Sequence, residues 1–97
     1  MKKYVIERSM PGVGSLNRDS LHAASTKSCL ALDELGPDIQ WVESYVTGDK
    51  IYCVYLAENE QLIREHAQRA GFPADKISAV RAMIDPTMRS AGSAPVA

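Results

Sequence analysis

A short run of β-branched and aromatic residues between charged ones, Lys3–Arg8, predicts a first strand. Ser9-Met10-Pro11-Gly12-Val13-Gly14-Ser15 interrupts it, because two glycines and a proline suit neither strand nor helix interior. From a cap at Ser15 or Asn17 a helix is expected to run to Leu35. Leu21, Ala24, Leu32 and Leu35 recur along it at helical spacing, with Ser25, Ser28 and Cys29 in the same stripe, and Gly36-Pro37 ends it. Ile39–Val46 and Lys50–Leu56 read as two further strands, reversed into a hairpin by Thr47-Gly48-Asp49. A second helix is expected from about Asn59 to Ala70, with Glu60 at the positive end of its dipole and Gly71-Phe72-Pro73 as its stop. Ile77–Asp85 reads as a fourth strand.

The order β-α-β-β-α-β predicts an α+β, ferredoxin-like fold, a four-stranded antiparallel sheet with both helices on one face. Residues 1–86 are expected to form this single domain and residues 87–97 a flexible tail. Alternation divides each strand into two sets. The mostly aliphatic set (Val5, Glu7, Val42, Ser44, Val46, Tyr52, Val54, Leu56, Val80, Ala82, Ile84) is expected under the helices. The other set (Tyr4, Ile6, Arg8, Ile39, Trp41, Glu43, Tyr45, Ile51, Cys53, Tyr55, Ile77, Arg81, Met83) is expected on the uncovered face. Such a face exposes more apolar area than a monomer usually tolerates, so a second copy is expected over it, forming a homodimeric α+β barrel. Arg8, Glu43 and Arg81 are then either paired charges of that interface or, with Trp41, Tyr45, Cys53 and Tyr55, the lining of a ligand pocket between two sheets.

Composition narrows the partners. Eleven Lys and Arg against twelve Asp and Glu leave a net charge of −1 over 97 residues, without the basic excess that nucleic acid or an anionic membrane demands. No apolar run reaches the length of a signal-peptide core or a membrane span, and Cys29 and Cys53 lack Cys-x-x-Cys spacing, so a cytoplasmic protein with two thiols packed as small core residues is expected. Gly12-Val13-Gly14 lacks the third glycine of a dinucleotide fingerprint, and no nucleotide cofactor is expected.

Chemistry concentrates on His66, which shares a helical stripe with Leu62, Ile63 and Ala70. A buried imidazole needs a polar partner; Glu7 is the exception in the first strand's share of the set assigned beneath the helices, and Tyr52 belongs to the same set. A His66–Glu7–Tyr52 cluster would serve as a structural pair, as ligands of a divalent metal, or in proton transfer. His22 reads as a solvated helix residue.

The segments Tyr4-Val5-Ile6-Glu7-Arg8, Gln40-Trp41-Val42, Lys50-Ile51-Tyr52-Cys53-Val54-Tyr55, and His66 followed by Ala70-Gly71-Phe72-Pro73 resemble a small bacterial ferredoxin-like family of unknown function that includes an actinobacterial nickel-binding protein. The resemblance spans roughly residues 3–87. It implies a dimeric barrel that binds Ni(II) or another divalent cation, with His66 at the family's helix-two histidine position. The leading reading is a small homodimeric cytoplasmic binding protein for a divalent metal such as nickel. A second is a dimeric α+β-barrel enzyme, monooxygenase- or isomerase-like, acting on a small aromatic or polyketide-like compound. There Trp41, Tyr45 and Tyr55 would line the pocket, Arg8 or Arg81 would hold an acidic group, and His66 or Glu7 would move a proton. Haem is a more distant ligand of that superfold. The third reading is an interaction module that docks a partner on its aromatic face.

Overall fold

The structure is a computed structural model that describes the backbone of residues 1–91 and the side chains of residues 1–89. Strands β1 (Lys2–Ser9), β2 (Ile39–Val46), β3 (Lys50–Ala57) and β4 (Lys76–Ala79) form one antiparallel sheet in the order β2-β3-β1-β4. Helices α1 (Arg18–Leu35) and α2 (Glu60–Ala70) pack on each other and on one side of that sheet. Each crossover joins parallel strands separated by a third, which is the expected ferredoxin-like arrangement.

Local chemistry explains the boundaries. The Asn17 side chain accepts from the Ser20 N–H at 2.8 Å and the Asn59 side chain from the Leu62 N–H at 3.0 Å, so each helix starts at an asparagine cap. Gly36 and Gly71 end them at φ 83° and 75°, a region closed to most L-residues. The β1–α1 loop contains a short 3-10 turn, Val13–Ser15, and is stitched to the hairpin turn by Met10 N–H to Asp49 O at 2.8 Å and Gly14 N–H to Gly48 O at 2.9 Å.

Along β1, β3, β4 and the start of β2 the sheet presents its faces opposite to the sequence expectation, whereas Glu43, Ser44, Tyr45 and Val46 lie as expected. Tyr4, Ile6 and Arg8 are 4%, 0% and 2% exposed and lie under the helices, with their cross-strand partners Tyr55, Cys53 and Ile51. Val5 and Glu7, with partners Val54 and Tyr52, lie on the uncovered face. Alternation could not choose, because both sets of β3 are apolar: Ile51, Cys53, Tyr55, Ala57 on one side and Tyr52, Val54, Leu56 on the other. A β-bulge between Trp41 and Glu43 adds to this by reversing the parity of β2 midway. Ile39 and Trp41 therefore face the helices, whereas Glu43 and Tyr45 face away.

Two other expectations are corrected. Cys29 is exposed, and Ser28 and Ala31 hold the buried stripe of α1, because Cys29 lies about 100° around the helix from Ser28. Strand β4 stops at Ala79 because its antiparallel register, Glu7 with Lys76 and Tyr4 with Ala79, runs off the start of β1. Val80 makes a last bond to the Lys3 carbonyl at 2.8 Å, and Arg81–Asp85 continues without a partner strand. A helical turn, α3 (Thr87–Ala91), lies where the tail was expected to begin, and residues 92–97 of that tail lie outside the described residues.

The two faces make opposite demands on neighbouring residues. Ile6→Ala is expected to cost about 2–5 kcal/mol of stability, as for other buried aliphatic truncations, and Val5→Ala about 1 kcal/mol or less. Urea unfolding of both variants checks this, and a larger loss for Val5→Ala would reverse the face assignment.

Candidate functional site

The inner surface of α1 carries Ala24, Ser25 and Ser28 where a close-packed helix would place Leu or Ile, and the missing volume becomes a cavity of about 180 Å³ against the sheet. That is the liquid volume of about six waters at roughly 30 Å³ each. Its walls come from the β1–α1 loop (Met10, Val13, Leu16), from α1 (Leu21, Ala24, Ser25, Ser28), from the sheet (Arg8, Trp41, Ser44, Val46, Ile51, Cys53, Tyr55) and from Phe72. Trp41 is held by donation from Nε1 to the Ser44 hydroxyl at 2.9 Å, a bond that spans the β-bulge.

Arg8 is the only charged residue of this lining. Its Nη1 donates to the Pro73 carbonyl at 2.6 Å, its Nε points at the Cys53 sulfur at 3.4 Å, and the guanidinium lies 5.8 Å from the centre of the Phe72 ring. Its Nη2 is buried without a partner, and among the described residues no carboxylate forms an ion pair with it.

His66, fully buried on α2, is joined to this cavity through Ser28 and Tyr55. Its Nε2 lies 3.2 Å from the Ser28 carbonyl and 3.1 Å from the Ser28 hydroxyl, which in turn lies 3.4 Å from the Tyr55 hydroxyl. A carbonyl only accepts, so Nε2 carries the proton and donates, leaving Nδ1 a bare acceptor, buried and unpartnered. Burial, aided by the nearby Arg8 cation, pushes the His66 pKa below its ordinary value. Burial likewise raises the Tyr55 hydroxyl, so it stays protonated. The tyrosine and imidazole rings sit 5.1 Å apart at a tilt of 51°. The trio braces α1, α2 and β3 together.

The sequence-predicted residues separate into two groups. Glu7 and Tyr52 are direct cross-strand neighbours on the uncovered face, where Glu7 accepts from Lys50 Nζ at 2.6 Å, and Glu43 and Tyr45 share that face. His66 is on the other side of the sheet, so the expected three-residue cluster does not form. Arg8, Trp41, Cys53 and Tyr55 do converge, inside the single chain and not between two sheets. Arg81 lies past the end of β4 and is exposed. His22 is exposed, as expected. Ser28, Phe72 and the Pro73 carbonyl were missed, and the run of small residues on the inner stripe of α1 is the signal that marks the gap.

For a divalent metal, the orphaned Nδ1 of His66 is one suitable donor, but a site needs several. Among the described residues no group of three His, Cys, Asp or Glu side chains comes together. The donors that the described residues of one chain bring together do not fit a metal centre.

Comparison with known proteins places this geometry in context. The sequence model of a family described as nickel responsive protein SCO4226-like matches residues 4–80. No curated protein matches the chain. Among solved structures, that of SCO4226 from Streptomyces coelicolor A3(2) is similar, with a TM-score of 0.69 and 22% identity over 84% of this chain and 99% of that one. The similarity shows the shared fold.

Because folded His66 titrates below 6.5, protonation favours the unfolded chain. Its contribution to stability is complete above about pH 6.5 and is lost as pH falls through the folded-state value. His66→Gln is expected to cost about 1–3 kcal/mol at neutral pH and to flatten this slope. Urea midpoints at about pH 7.5 and pH 5 decide it. A wild-type midpoint that falls no more than that of the variant would show that His66 is not held neutral.

Proposed function

We propose a function from one premise: the chain belongs to the nickel responsive SCO4226-like family, whose model spans most of its length. The protein is a cytoplasmic homodimer that binds Ni(II) without catalysis, with donors drawn from both copies. The observation that carries this reading is the direct pairing of Glu7 with Tyr52 on the sheet face opposite α1 and α2. Val5, Val54 and Leu56 surround that pair and remain partly exposed, as an isologous interface would need. A two-fold axis through the face brings the Glu7 carboxylates of both copies together, with the Glu43 carboxylates on the same surface. Oxygen donors and water complete an octahedron, and Ni(II) accepts both, although it prefers imidazole. Two free cysteines suit a reducing compartment, and among the described residues no helix is long and apolar enough to cross a membrane.

Ni(II) titration combined with sedimentation tests this, with Zn(II) and Co(II) as comparisons. The expected mass is twice the 10.6 kDa chain, with one Ni(II) per two chains. Glu7→Gln should weaken uptake at least about tenfold, the size of effect that even outer-shell changes have on metal sites. Tyr52→Asp should give a monomer that takes up none. Uptake by that monomer, or unchanged affinity in Glu7→Gln, refutes the reading.

A further inference from the structure

We infer that the cavity beneath α1 is a binding site for a small monocarboxylate with an apolar body, its carboxylate paired with the guanidinium of Arg8. Arg8 is 2% exposed, so its cation is cut off from bulk water, and an arginine cannot shed its charge as a buried lysine or carboxyl does. The Pro73 carbonyl, the Cys53 sulfur and the Phe72 ring occupy Nη1, Nε and one face with neutral partners. Nη2 remains without an acceptor and is itself enclosed, and Arg8 is a lining residue of the cavity, so a turn of the side chain is what brings Nη2 to a ligand there. The missing partner of this cation is an anion, and the cavity is where an anion fits.

The lining selects its kind. Val13, Leu21, Trp41, Ile51 and Phe72 supply apolar walls, which suit a hydrocarbon or aromatic body and disfavour a fully hydrated ion. The single positive charge matches a single negative one, and a dianion would leave its second charge buried and unpaired. The planar fork of arginine matches the plane of a carboxylate, and the Ser28 and Tyr55 hydroxyls add polar contacts in the same lining. The site lies across the sheet from Glu7 and Tyr52, so it stands or falls independently of the nickel reading.

Trp41 is the single tryptophan and lines the cavity, so its fluorescence reports occupancy. With metal removed by EDTA and ionic strength fixed, the wild-type protein is titrated with benzoate, hexanoate and benzamide, a neutral isostere of benzoate. Benzoate, hexanoate or both should give a saturable change at least tenfold tighter than benzamide. Arg8→Met should lose that preference. If that variant does not fold, Ala24→Phe, which fills the cavity from α1 and keeps Arg8, should abolish the response. Equal affinity for benzoate and benzamide overturns the inference, as does the absence of saturation with both carboxylates at millimolar concentration.

Discussion

The parity of β1 is the constraint on which the rest depends. β1 is a central strand, hydrogen-bonded on both edges, and Tyr4 and Ile6 are its residues in the core. The period of two then carries Arg8 inward whatever its charge. Burying a guanidinium costs several kcal/mol before compensation. The Pro73 carbonyl and the Phe72 ring offset part of that cost, which ties the end of β1 to the loop that follows α2. The same parity sends Glu7 outward, where Lys50 and Tyr52 meet it. One alternation thus places an uncompensated cation inside the fold and a carboxylate outside it.

The sheet acts as a partition between two chemistries. On the helix side, the small residues of α1 leave space above Arg8, and His66, Ser28 and Tyr55 fasten both helices to β3 at the border of that space. On the other side, opposite α1 and α2, the strands carry carboxylates, tyrosines and aliphatic groups. The interior is the place of the organic anion inferred above, and the exterior that of the second copy proposed for it.

Much of this was readable before any coordinates. Asn17 as one of two candidate caps, a second helix start at about Asn59, Gly36 and Gly71 as stops, and the Thr47-Gly48-Asp49 reversal all act within a few residues, and the helices and hairpin lie where those signals put them. Arg8, Trp41, Cys53 and Tyr55 were recognised as members of one face, and they do share one cavity. Which face it was remained unreadable. An arginine argued for solvent, two apolar sets on β3 argued for neither side, and the bulge after Trp41 exchanged the sides of β2 without a glycine or proline to mark it.

By itself, then, the sequence determined the elements, their order and the sheet topology, because caps, turn residues and hydrophobic period are local and short-ranged. Only the tertiary structure decided that Arg8 is buried with a free nitrogen, that His66 bonds to Ser28 and not to Glu7, and that β4 ends at Ala79. Each of these depends on register between strands far apart in the chain and on which side of the sheet the helices settle. A one-residue change of parity reverses every such contact while leaving each local signal intact.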